Sequence, residues 1–439
     1  MQPQPAPALP PAFEIPQGLL ALKPTALLRA YGKQPVSFWG LTAYLFFEYV
    51  RPQAIYTSLD ILPWAYASLL IAVGSTALTE LGKRRWTYLD TGMVLFTLVI
   101  LASLVAAFDP KYGVDNLDIW VGWILAYFAI STALNTPTRI LLALLPWFLW
   151  NFKMTLFAFR SWASIGFGFR DWGVSGAPGW FGNSGEFGIQ MCVVFPISLY
   201  FALGMRKQVS RNVFLALLVL PFTAVTGAIS SSSRGALVGI AAIGVWMYLR
   251  GRYRVRGIIP LTALVVIGYF FVPAEQKARL SSSGDDKTSQ SRLLYWGRGI
   301  EFAKENPVLG IGYKSWMPYY QYVWGGRLEE GQSVQLSHNF AIEAAAELGF
   351  TGLAVLIFIL LGTFWMNART RSLCRKLGPR AFLMEQIASG FDGALIGFIV
   401  SGSFVTVLFY PYIWVNLGMT VGLHLTMART VRATRRAAA

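Results

Sequence analysis

Apolar runs long enough to cross a bilayer recur along the chain, separated by short charged or Pro/Gly-rich breaks. A transmembrane helix needs about 20 mostly apolar residues. On that measure the pattern predicts twelve spans, at 37–50 (a short one), 61–79, 90–108, 117–134, 140–159, 187–204, 213–229, 235–249, 257–273, 339–366, 393–409 and 411–428. The segments between them alternate in charge. Lys83-Arg84-Arg85, Arg206-Lys207 with Arg211, Arg250 to Arg256, 369–380 and the tail from Arg429 are dense in cations, whereas 109–118, 166–185, 230–234 and 274–337 are acidic or balanced. The positive-inside rule places the first set in the cytoplasm. Both termini then fall inside, which requires an even number of spans. The expected architecture is an all-α polytopic integral membrane protein. It comprises a Pro-rich tail with an amphipathic segment (1–36), spans one to nine (37–273), an outer, partly helical loop domain (274–338), spans ten to twelve (339–428) and a basic tail (429–439). The opening MQPQPAPALPPAFEIPQ lacks a basic stretch followed by an apolar core, so it reads as a disordered cytoplasmic tail rather than a signal peptide.

Composition agrees with this reading: 55% of the 439 residues are hydrophobic and 13% charged, which excludes an ordinary soluble enzyme. The net charge of +16 would suggest a nucleic-acid partner in a soluble protein. Here 23 of the 37 basic residues but only 5 of the 21 acidic ones lie in the expected inner segments, so the surplus is an orientation signal. No nucleic acid is implied. Two cysteines and two histidines are too few for a disulfide framework, a zinc ribbon or a multi-histidine metal centre, and no metal or other cofactor is expected. Cys192 falls in a span and Cys374 in an inner segment, so the two cannot meet.

Candidate chemistry gathers on the outer side. Long loops in a polytopic protein tend to carry function, and 274–337 is the longest. From Ser291 it has Leu293, Trp296, Ile300 and Ala303 at helical spacing, an amphipathic helix lying on or near the membrane and closed by Asn306-Pro307, with a turn at Gly310 to Tyr313. Arg298 has Glu301 three residues on, the spacing of an intrahelical ion pair. Arg292 has Tyr295 and Trp296 at the equivalent positions, and its planar guanidinium suits phosphate oxygens two at a time. Arg234, in SSSSRGALVG at the mouth of the eighth span, is either a snorkelling helix-end cation or, with Ser233 and its neighbours, part of a phosphate seat. His338, in LSHNF at the entrance of the tenth span, is either a capping residue or a base able to take a proton from a hydroxyl near neutral pH. Asn339 and Glu343 are supporting or acceptor-side candidates, Glu343 alternatively serving interhelical packing. His424, deep in the last span, reads as structural. The Gly-rich outer segment before the sixth span adds Arg170, Asp171, Asn183 and Glu186 beside Trp172 and Trp180.

Three features in order and on one side resemble the O-antigen ligase and polymerase superfamily. They are Arg234-Gly235 at a span entrance; Arg292 and Trp296 leading into Asn306-Pro307-x-x-Gly310-x-Gly312; and His338 followed by Glu347-x-Gly349-x-x-Gly352. The twelve-span plan with its large outer loop is similar too. The resemblance implies a metal-independent, inverting glycosyltransferase of the GT-C type in the bacterial inner membrane, with its active site facing the periplasm. Its ligases transfer a glycan from undecaprenyl pyrophosphate to the lipid A-core. Carried over residue by residue, Arg234 and Arg292 would hold the pyrophosphate, Arg298 and Arg170 would be further donor-side cations, and His338 would activate the acceptor hydroxyl. Where the family has Asn-Pro-Asn, this chain has Asn183-Ser184-Gly185, which weakens the carry-over for Arg170. The expected partners are the lipid-linked glycan, the lipid A-core and membrane lipids, and the expected state is a monomer. The alternatives within the superfamily are a polymerase and a protein O-oligosaccharyltransferase. Outside it stands a secondary transporter, disfavoured because the chain has no internal repeat at a fixed period and its expected span interiors are nearly free of charge.

Overall fold

The computed structural model describes residues 14–168, 173–250, 287–327 and 334–438, and every regular element among them is helical. In chain order the helices are α1 (Gln17–Leu20), α2 (Pro24–Tyr31), α3 (Val36–Tyr49), α4 (Pro52–Ile55), α5 (Trp64–Thr79), α6 (Tyr88–Val105), α7 (Pro110–Asp115), α8 (Leu117–Ala133), α9 (Pro137–Ser164) and α10 (Ser184–Met205). They continue with α11 (Arg211–Ser230), α12 (Arg234–Arg250), α13 (Lys287–Glu305), α14 (Trp316–Trp324), α15 (Phe340–Leu377), α16 (Phe382–Gly402) and α17 (Pro411–Ala438). The expected ninth span, 257–273, lies outside the described residues, as does Arg170.

Six stretches among the described residues are long and apolar enough to cross a membrane: Thr57–Thr79, Tyr88–Val105, Pro137–Ser164, Ser184–Met205, Arg211–Ser230 and Phe340–Gly402, the last containing both α15 and α16. Such an array makes the chain a polytopic membrane protein. Its helix starts are written locally. Thr87 and Asp90 form a capping box on α6, and Asn183 with Glu186 forms another on α10. Without an oily driving force between helices in lipid, close approach depends on small residues. On α16, Gly390, Gly393 and Gly397 face Ile197, Pro196 and Cys192 of α10, where an added Cβ would come within 2.9 Å or less of each.

Two polar ends follow from this packing. At one, Arg139 bonds Glu80 at 2.9 Å and Asn135 at 3.0 Å, while Arg84 pairs with Asp90, which also accepts from Tyr127. At the other, Trp180 donates to Glu48 at 2.6 Å, Tyr410 to Glu186 at 2.8 Å and Trp123 to the Phe409 carbonyl at 2.8 Å. His338 belongs to this second end.

The structure departs from the sequence pattern at the last spans. The eleventh was expected at 393–409, but α16 starts at Phe382 and ends at Gly402, leaving 403–410 as a non-helical turn. Hydropathy misplaces it because Asp392 looks like a boundary. The residue is instead fully buried within α16, neutralised by Arg371 at 2.6 Å and Arg250 at 2.9 Å and bonded by Asn367 at 2.9 Å. A charge so paired can sit inside an apolar helix.

The second departure is a break in α15. Gly349 has φ 69° and ψ −177° inside what was expected as one continuous span. The turn after α13 fills the break. Ile311 N–H donates to Ala346 O at 2.8 Å, Gly312 N–H to Glu347 O at 3.0 Å, and Phe350 N–H to Pro307 O at 2.8 Å. The Asn-Pro-x-x-Gly-x-Gly turn thus meets the Ala346 and Glu347 carbonyls and the Phe350 amide at the kink, and its Gly310 and Gly312 also have positive φ. The conformation of Gly349 is essentially restricted to glycine, and a Cβ there would meet Val308 backbone at 2.5 Å. Gly349→Ala should therefore destabilise the protein by about 1–3 kcal/mol, read as a lowered Tm in detergent. Gly74→Ala, on an open helical face of α5, should leave Tm unchanged; equal Tm values for the two variants would refute the clasp.

Candidate functional site

The tight turn between α11 and α12 presents the first candidate. Ser233 caps α12, its Oγ accepting the Ala236 N–H at 3.3 Å, so Arg234 occupies the first helical position. Ser232 is forced into a left-handed conformation at φ 55°. Its hydroxyl is buried without a hydrogen-bond partner. The Gly-rich segment before α10 lies across this turn, Val174 N–H donating to Ser230 O at 3.0 Å, and a side chain at Gly173 would collide with Ser231. Gly235 packs on Phe404, where an added Cβ would lie 3.0 Å away.

The second candidate is α13, which exists as expected and ends at Asn306-Pro307. It does not lie free on a surface. Gly299 lets it cross α15 closely at Ile342, and Phe302 and Tyr295 are buried against Trp316 and Tyr320 of α14. Arg298 is turned into this aromatic cluster rather than to Glu301: it donates to the Tyr320 hydroxyl, and its guanidinium lies 3.9 Å from the Trp324 ring centroid. That corrects the expected ion pair: the caged guanidinium holds α14 onto α13. Trp296 faces the other way, its ring 6.2 Å from Phe404. Its indole N–H is buried without a partner.

His338 is the third. It stands at φ 48°, another strained non-glycine position, and its backbone N–H donates to Thr406 Oγ1 at 2.9 Å. Capping of α15 is done by its neighbour: Asn339 Oδ1 accepts from Ala341 at 2.9 Å and Ile342 at 3.1 Å. The capping alternative for His338 is thereby removed. Asn339 supports the site through the backbone. Glu343 is buried and accepts the Leu408 N–H at 3.2 Å, so it fastens the 403–410 turn to α15. Glu347 does the same for the segment before α14, accepting from Lys314 at 3.1 Å and Trp316 at 3.3 Å. Burial lowers the pKa of the His338 imidazole below its ordinary 6.5, and the positive charge of Arg292 lowers it further. The imidazole is therefore neutral near pH 7, and it lies within electrostatic reach of Arg292.

Gly235, Trp296 and His338 thus converge on the side chains of one short segment, Phe404 to Thr406. Sequence reasoning missed this platform because it placed 404–406 inside a span; the run Ser401, Gly402, Ser403, Thr406 and Pro411 was the available breaker signal. It also missed the unpartnered Ser232, choosing Ser233, whose oxygen the helix uses. The grouping can bind an anion through arginines and orphan donors, with a neutral base alongside.

Fold and site together define a multi-pass helical membrane protein with a cationic, donor-rich site at one polar end. Comparison with known proteins shows what part of it resembles. Residues 216–357, which include Arg234, Arg292 and His338, match the family model described as O-antigen ligase. The exopolysaccharide production protein ExoQ of Rhizobium meliloti (strain 1021) is 29% identical over 109 residues, covering 24% of this chain and 25% of that relative. Residues 216–357 are thus similar to the O-antigen ligase family, and the chain spans only about a quarter of the length of the curated relative it matches.

The imidazole supplies a direct test. In protein with His424→Asn and isotope-labelled histidine, the single remaining His338 signal should titrate below 6.5, and Arg292→Gln should move the midpoint up. An unmoved midpoint would separate the two residues. Because the unfolded chain binds this proton more tightly than the folded one, stability should fall as pH drops from 6.5 through the depressed midpoint.

Proposed function

We propose that the protein is an O-antigen ligase: an inverting membrane glycosyltransferase that moves a glycan from undecaprenyl pyrophosphate to a hydroxyl of the lipid A-core on the periplasmic face of the bacterial inner membrane. The observation that carries this reading is the convergence of Gly235, Trp296 and His338 on Phe404 to Thr406. Both termini are cytoplasmic, as the cation distribution favours, and the protein acts as a monomer. The chain follows the GT-C plan with twelve spans.

The chemistry needs no more than these side chains. Arg234 and Arg292 bind the pyrophosphate oxygens, with Ser232 and Trp296 as added donors and Arg170 as a further donor-side cation. Neutral His338 takes the proton from the acceptor hydroxyl as its oxygen attacks the anomeric carbon opposite the leaving group. The bond from that carbon to the phosphate oxygen breaks, and the arginines balance the charge left on the pyrophosphate, an electrostatic stabilisation that grows towards the transition state. The polyprenyl tail lies in lipid beside the apolar helices.

A second reading is favoured by the name of the ExoQ relative, exopolysaccharide production: a polymerase that extends the glycan on its lipid carrier. The acceptor alone separates the two. Membranes supplied with lipid-linked glycan and lipid A-core should yield product on the core; product confined to the lipid carrier, or to protein, would overturn the ligase. His338→Ala, Arg234→Ala and Arg292→Ala should each remain folded and abolish transfer, and normal turnover would remove that residue from the site. A chelator should leave the rate unchanged. Trp296→Phe keeps the ring and loses the donor, so the donor KM should rise by roughly tenfold, the value of one hydrogen bond to a charged group, with little change in stability.

A further inference from the structure

The polar end that holds His338 contains a second concavity, of about 320 Å³, between α3, α5 and α8 and roofed by Trp180. None of Arg234, Arg292 or His338 lines it. That volume is at the lower end of small-molecule sites, roughly 300–1,000 Å³. It suits a single sugar ring or two. Its walls combine flat aromatic surface with hydrogen-bond acceptors. Trp64 is held rigidly, its N–H on the Leu59 carbonyl at 2.6 Å and its ring stacked on Phe47 at 17°. Trp180 is fixed by Glu48 Oε2 at 2.6 Å. Aromatic faces so held can take the apolar face of a pyranose, while carboxylates accept from its hydroxyls.

The ionisable acids in this wall outnumber the bases. Glu48, Asp60 and Asp118 face it with one cation, Arg51. Glu48 uses Oε2 on Trp180. Gln53 donates through Nε2 to Phe47 O at 3.3 Å, and its Oε1 is buried without a partner. The Nε of Arg51 is likewise buried without a partner. That guanidinium is seated directly on the backbone of Gly179, which has φ +86° and no room for a side chain. Two exposed carboxylates, Asp60 and Asp118, against one guanidinium, with the Glu48 carboxyl and an orphan carbonyl oxygen behind them, welcome hydroxyl or ammonium donors and repel anions.

The cavity connects to the proposed site through one segment. Trp180 also contacts Tyr410, at 4.9 Å between ring centroids, and Tyr410 closes the turn whose Thr406 receives the His338 N–H. We propose that this cavity is a glycan subsite for the acceptor, taking a neutral or amino-bearing pyranose of its oligosaccharide and excluding uronic or phosphorylated sugars. The acceptor assignment rests on the function proposed above; the sugar-binding assignment does not.

The test therefore has two arms. Wild-type protein in nanodiscs is mixed with free glucose, glucosamine or glucuronate, and saturation transfer to the ring protons is measured by NMR. Glucose and glucosamine should receive saturation, glucuronate at least tenfold less, and Trp64→Ala should abolish it. Asp118→Asn, an exposed change that leaves the fold intact, should weaken glucosamine selectively. Glucuronate binding equal to that of glucosamine, or full binding in both variants, would overturn the subsite. In the transfer assay Asp118→Asn should raise the acceptor KM several-fold with kcat and donor KM unchanged; a rise confined to the donor KM would overturn the acceptor assignment. Absence of any transfer by the wild-type protein would sink the proposed function and the acceptor role with it, while the sugar-binding arm is decided by NMR alone.

Discussion

The structure depends on one broken helix and the turn that mends it. Inside a bilayer every backbone amide and carbonyl needs a protein partner. At Gly349 the chain leaves helical geometry, and the amides of Ile311 and Gly312 and the carbonyl of Pro307 take up the groups set loose. The same turn reaches back to α6 and to the residues flanking α7: Tyr313 N–H donates to Ser103 Oγ at 3.2 Å, Phe108 N–H to Ile311 O at 2.9 Å, and the Tyr313 hydroxyl to Asn116 O at 3.0 Å. Helix α13, which carries Arg292 and Trp296, is therefore anchored to the helix array by backbone bonds. A motif that resembles a catalytic signature in sequence is, in space, a splice.

The buried carboxylates follow the same logic. Glu343 and Glu347 lie on α15 just before the break, and each takes backbone N–H groups from a neighbouring loop. Leaving a buried N–H unmet costs on the order of 1–3 kcal/mol, so these acids hold the 403–410 turn and the entrance of α14 in place. His338 then rests on Thr406, in the turn that Glu343 fastens to α15. Strain marks the same places: Ser232, Lys314 and His338 all sit at positive φ without being glycine, an arrangement that persists only where surrounding contacts enforce it.

Much of this was legible along the chain. The apolar runs, the alternation of charge, α13 with its Asn-Pro stop, and the prominence of Arg234, Arg292 and His338 all follow from local pattern, because span length, orientation and helix termination are decided by nearby residues. The family match over 216–357 agrees with the motifs that were read there. Arg298 was misread for an equally physical reason. Its sequence neighbour Glu301 offered an ion pair, but Tyr320 and Trp324, more than twenty residues on, provide a better-enclosed seat for the guanidinium.

By itself, then, the sequence determined which segments are apolar helices, which end of the array gathers the cations, and which few polar residues stand at the other end. Only the tertiary structure decided what those residues do. It moved Asp392 from a boundary into a buried ion pair, because Arg250 and Arg371 come from helices distant in sequence. It assigned the capping of α15 to Asn339 rather than to His338, and it made Phe404 to Thr406 the meeting point of three segments. Those outcomes arise from contacts between residues far apart in the chain, which no local spacing records.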